Sequence, residues 1–146
     1  MDGVTWQYDD GGRAAAGYKG EVGDCVVRAI AIATARPYQD VYQLINQAAA
    51  RERPRAGKQR SSARNGVRKN TIRRVMTDLG WTWVPTMAIG SGCQVHLQAD
   101  QLPSGRLVVS VSKHLVAVID GVIHDTHDPR RDGTRCVYGY YHHRSL

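Results

Sequence analysis

The chain has 146 residues, 42% of them hydrophobic, and a formal charge of +7 at neutral pH. That length suits one compact domain with a real core, residues 1–146. No uninterrupted apolar stretch approaches the roughly 20 residues that span a bilayer, and Met1-Asp2-Gly3-Val4 opens neither a basic nor an apolar signal region, so no membrane role and no secretory signal are expected.

Three cysteines are an odd, sparse set. They argue against a disulfide framework and for a reducing compartment, with the cytoplasm as the expected location. The charge is local: residues 51–74 carry ten Lys or Arg against Glu52 alone, and the remainder holds slightly more acids than bases. Basicity is therefore a property of one insert.

Residues 1–23 are Gly-rich and polar, which predicts mostly irregular backbone with Trp6, Tyr8 and Tyr18 as anchors. A first helix is expected from Asp24, as cap, to Thr34, with Val26, Ala29, Ile30 and Ala33 at helical spacing. Pro37 opens a second, in which Val41, Leu44, Ile45 and Ala48 repeat the pattern. The segment at about 51–69, broken by Pro54, Gly57, Ser61, Ser62 and Gly66, reads as a basic mobile loop. A third helix from Asn70 or Thr71 buries Ile72, Val75, Met76 and Leu79 and stops at Gly80.

Beyond Gly80 the pattern turns to strands, expected over 81–84, 95–97, 107–111, 115–119, 122–126 and 135–141. Helices first and strands afterwards indicate an α+β fold, N-terminal helices on a C-terminal antiparallel sheet.

Asp120-Gly121 between two apolar runs predicts a two-residue type I′ hairpin turn, which pairs Ile119 with Val122. Asp125 then falls opposite Val116 and His114 opposite His127, and alternation puts all four on one face. Asp125 becomes a diagonal neighbour of His114, within reach of its ring. Cys25, in a first helical turn, gains the exposed N–H groups and positive dipole end that lower a thiol pKa. Cys25 as nucleophile, His114 as base and acid, and Asp125 as orienting carboxylate form a working hydrolase set, with the Cys25 N–H as an oxyanion donor.

Each part has a blander reading. A lone Cys among Val and Ala is usually a small buried hydrophobe, which is also the expectation for Cys93 and Cys136. A lone His at a strand start is usually a surface residue. The two together, with an acid on the correct face, favour catalysis.

Asp24-Cys25-Val26-Val27-Arg28-Ala29 and His114-Leu115-Val116-Ala117-Val118, with Asp125 and then Asp128-Pro129, occur in the order Cys, His, Asp. In this the chain resembles the papain-like cysteine peptidases. It is similar to their small bacterial and phage-encoded branch, which includes the peptidase domains of bacteriocin-exporting ABC transporters. The match covers roughly thirty residues in two blocks. The resemblance implies a papain-like fold, a thiol protease acting on a protein or peptide, and, for a phage protein, the host cytoplasm. The family's Gln, about six residues before its Cys, is here Lys19, and Gln7 is the nearest upstream amide. That leaves the oxyanion-hole side chain unassigned.

His124 and His127 fall on opposite faces of their strand and no Cys-x-x-Cys pair exists, so neither a metal nor a cofactor is expected. The rival reading is a non-catalytic binding protein on the same scaffold, whose Arg-rich segment 51–74 holds nucleic acid, another polyanion or an acidic protein.

Overall fold

The computed structural model describes residues 5–19 and 23–143. Residues 1–4 and 20–22 of the expected irregular stretch lie outside the described residues. In chain order the elements are β1 (Thr5–Tyr8), α1 (Cys25–Thr34), α2 (Tyr38–Ala50), α3 (Lys69–Asp78), β2 (Thr82–Pro85), β3 (Arg106–Val111), β4 (His114–Ile119), β5 (Val122–Asp125) and β6 (Gly139–His142), with a 3₁₀ turn at Ala99–Gln101. The fold is α+β. Its one sheet has the strand order β1-β5-β4-β3-β6-β2.

Two expectations are corrected here. Part of the N-terminal stretch is a strand, because Thr5–Tyr8 pairs with Val122–Asp125. That pairing is parallel, so the sheet is mixed rather than purely antiparallel. The segment 95–97 is not a strand. It joins 135–137 through an isolated bridge, His96 with Cys136, and β6 begins only at Gly139.

The hairpin forms in the expected register: Ile119 pairs with Val122, Val118 with Ile123 and Ala117 with His124. Asp120 and Gly121 have φ of 49° and 80°, as a type I′ turn requires.

The sheet is buried on both sides. Val27, Ile30, Val41, Ile45 and Met76 of the three helices pack on Val108, Leu115, Ala117 and Tyr141. On the other face Val109, Val116, Val118 and Ile123 are covered by Leu97, Leu102 and Val137. Full burial of each such aliphatic side chain contributes roughly 1.5–3 kcal/mol. The β strands therefore read as near-continuous apolar runs, as in Leu107-Val108-Val109 and Leu115-Val116-Ala117-Val118.

Helix α1 lies along β4 and runs the same way. Arg106, first in β3 and paired with Ile119, holds the carbonyls of Ile32 and Ala33 at 3.1 and 3.3 Å. That fixes the helix C-terminus at the far end of β4, so its N-terminus comes to the His114 end.

The basic segment is internally tied. Half-buried under it, Glu52 accepts from the Ser61 N–H at 2.7 Å and from the Thr71 hydroxyl, with Arg68 Nε at 3.6 Å. Arg68 donates back to the carbonyls of Gln59 and Arg53, and Arg60 to that of Ala49. These bonds hold 59–68 against α2 and α3.

Cys93 and Cys136 are joined in a disulfide across 43 residues of sequence, correcting the reading of both as buried apolar residues. Cys25 is the free cysteine. No helix among the described residues is long and apolar enough to cross a membrane.

Candidate active site

Cys25 is the first residue of α1 and His114 the first of β4. The coincidence of these two ends brings them together. Leu115 and Ala117 face the helices while Val116 and Val118 face the second core, so parity alone assigns His114 to the face away from α1. The ring reaches the thiol because His114 stands at the strand end, where the helix N-terminus meets the start of β4.

His114 Nε2 lies 2.6 Å from Asp125 Oδ2. The expected diagonal contact is therefore made. Cys25 stands close enough to the His114 ring for the imidazole to lower its thiol pKa, and both line the same cavity. The three expected residues thus form one chain of contacts: sulfur, imidazole, carboxylate.

The protonation states follow from the surroundings. Burial raises the Cys25 thiol, but the His114 hydrogen bond and charge, the Leu115 backbone N–H and the Arg28 charge outweigh it, leaving the pKa below its ordinary value. Burial lowers His114, while hydrogen bonds to Asp125 and Cys25 push it up to about 9. Burial raises Asp125, and His114, the Thr126 N–H and His127 bring it below the usual carboxylate range. All three shifts favour thiolate, imidazolium and carboxylate near neutral pH.

Sequence reasoning gave Arg28 no role. It donates to Asp24 one helical turn back, and its Nη2 lies 3.5 Å from Asp125 Oδ1. Asp24 is 1% exposed and also accepts from the Tyr38 hydroxyl at 2.7 Å, with Arg13 Nε at 3.4 Å. It was expected as the helix cap but makes no side-chain capping bond. Its carboxylate is turned inward to neutralise two arginines.

The turn after β1 backs this network. The Asp9 N–H donates to the Asp125 carbonyl at 2.9 Å, and Asp9 Oδ2 lies 3.2 Å from His124 Nδ1. Gly11, at φ 69°, lies so close to Arg28 that an added Cβ would come within 3.2 Å of its Cα and carbonyl oxygen. The remaining exposed pieces are less engaged. Lys19 is exposed, and Gln7 sits on the edge strand β1 opposite His124.

A cavity of about 230 Å³ opens beside Cys25 and His114, walled by Val67 of the tied basic segment, Lys69 and Ile72 of α3, and Lys113. No Asn or Gln lines it among the described residues. As first helical residue, Cys25 has a backbone N–H with no intrahelical acceptor, a donor of the kind that can hold an oxyanion.

His127 joins the edge of the site as alternation predicts, its ring 5.1 Å from that of His114 and its Nδ1 3.9 Å from Asp125. His114, Asp125 and His127 are the group among the described residues whose ligand atoms lie within 4.8 Å of one another. A cation there would have to break the 2.6 Å His114–Asp125 contact, so the set suits proton chemistry better than metal ligation.

The chain matches no family model, no curated protein and no solved structure.

Proposed function

We propose that the chain is a thiol hydrolase of papain-like architecture, a cysteine peptidase using Cys25, His114 and Asp125. The observation that carries this reading is the ring of His114, 2.6 Å from a buried carboxylate and beside the free thiol in one cavity, near enough to lower its pKa. An inert structural cysteine would have no use for such a partner or for an adjoining cleft.

The Cys25 thiolate attacks the carbonyl carbon of a peptide or isopeptide bond, and the developing oxyanion accepts from the Cys25 N–H. The His114 imidazolium passes its proton to the departing amine, leaving an acyl-thioester. Neutral His114 then takes a proton from water as that water attacks the thioester. The thiolate leaves, the acid product is released and the imidazolium is restored. Asp125 fixes the ring throughout.

The test is alkylation by iodoacetamide near pH 6, mapped to residues, followed by turnover of a quenched-peptide library. Rapid modification of Cys25 that is lost in His114→Ala, together with cleavage abolished in Cys25→Ala, is expected. Alkylation no faster than that of a free thiol, with no peptide cleaved, would overturn the enzyme and favour the binding protein.

A further inference from the structure

We infer that the cleft beside Cys25 selects peptides with acidic side chains flanking the scissile bond, through Lys69 and Lys113 on its rim and Arg73 in its extension. This rests on the peptidase reading above and names the substrate class of that same site.

The cleft is longer than the catalytic cavity alone. A second cavity of about 70 Å³ shares Lys69, Ile72, Ser110 and Leu115 with the first and ends at Arg73, Trp83 and Tyr141. The two form one groove along the line where α3 meets the sheet. Its floor is apolar, built by Ile72, Leu115 and Val111. The formal charges along it, apart from the Cys25–His114 pair, are all positive: no Asp or Glu lines either cavity among the described residues.

Two of these cations rest on aromatic rings, and Arg73 is also hydrogen-bonded to Tyr141. Lys69 Nζ stands 5.7 Å over the Tyr138 ring and the Arg73 guanidinium 5.5 Å over Trp83. Among the described residues neither they nor Lys113 meets a carboxylate within 4.0 Å. Helix α3 begins at Lys69 with no side-chain cap and no acid in its first turn, so its positive end adds to the same field.

Lys113 carries a further mark. It sits at φ 55°, a strained backbone for a side chain of this kind, in the two-residue turn immediately before His114. Arg135 holds that turn through the Ser112 carbonyl at 2.5 Å. The turn thus presents a lysine at the mouth of the site. An extended peptide alternates its side chains, so apolar residues can enter the floor while their neighbours meet the rim.

The test uses the full chain at low salt and reads the rate of iodoacetamide alkylation at Cys25 in the presence of short peptides of Ala, Leu and Gly. One set carries several Glu, the other Lys at the same positions. A surface ion pair changes affinity up to about fivefold, so with two or three rim cations the acidic set should protect Cys25 at about tenfold lower concentration. Salt should erase the difference, and Lys69→Glu with Lys113→Glu should reverse it.

Equal protection by both sets, or stronger protection by the Lys set, overturns the inference. Equal protection by a single-stranded oligonucleotide of matched charge assigns the groove to nucleic acid and overturns it as well. The rate without any peptide reports the underlying reading separately. If Cys25 alkylates rapidly and depends on His114 while the peptide order fails, only the specificity falls.

Discussion

Arg28 stands between the two halves of the site: one end of its guanidinium donates to Asp24 and the other lies 3.5 Å from Asp125. It ties the helix that carries the nucleophile to the strand that carries the orienting acid. Its own charge also lowers the Cys25 thiol.

Arg28→Gln should therefore act twice. It leaves the buried Asp24 with Tyr38 and Arg13 alone, a loss of about 3–5 kcal/mol by the usual cost of breaking a buried pair. It also frees Asp125 to turn, and with the Arg28 charge gone as well this should slow Cys25 alkylation. Arg28→Lys should restore part of the stability and less of the rate, because an ammonium cannot span both acids. Thermal unfolding and the alkylation rate read the two effects.

The pH profile of Cys25 alkylation should show an acid limb below the ordinary thiol range, since the folded pKa is lowered. In His114→Ala burial remains and the main compensating partner is gone, so the limb should move upward toward or past about 8.5. Peptide turnover should fall again above about pH 9, where His114 loses its proton. A rate that keeps rising through pH 9 would exclude His114 as the proton donor to the leaving amine.

Stability should carry the same signature. A folded-state His pKa of about 9, above the ordinary 6.5, contributes stability fully present below pH 6.5 and lost as pH rises through 9. The unfolding temperature should accordingly drop between neutral pH and pH 9.5, and the drop should shrink in His114→Ala. A calorimetric series across that window checks it.

Asp125→Asn keeps an oxygen acceptor for the ring N–H but removes the charge. Because the Cys25 thiol pKa is lowered beside His114, the loss of turnover should be about tenfold to a hundredfold, smaller than when a base must first deprotonate a hydroxyl nucleophile. Asp125→Ala, which leaves both His114 and Arg28 without this partner, should lose more. Steady-state kinetics on one quenched peptide distinguishes the two.

Glu52 anchors the segment that walls the cleft, so Glu52→Ala should expose it. Removing the acceptor shared by the buried Ser61 and Thr71 and by Arg68 should cost about 1–3 kcal/mol. Hydrogen exchange should rise across 59–68 and stay low in β3 and β4. Uniform exchange would mean that the segment is held by something other than Glu52.

The sequence by itself determined the three helices and the pairing inside the hairpin. Asp120-Gly121 can close a two-residue turn in only one register, so the approach of His114 to Asp125 was legible from residue order. The helical spacing of Val26, Ala29, Ile30 and Ala33 likewise specified the buried face of α1, because one helix carries its own period. Only the tertiary structure decided that the thiol meets the ring: parity places His114 opposite the helical layer, and the alignment of two element ends, held by Arg106 at the far end of α1, overrides it. The inward turn of Asp24, the Arg28 bridge, the parallel strand Thr5–Tyr8 and the disulfide between Cys93 and Cys136 were equally invisible. Each joins segments far apart in the chain or uses a buried charge, and no local period encodes either.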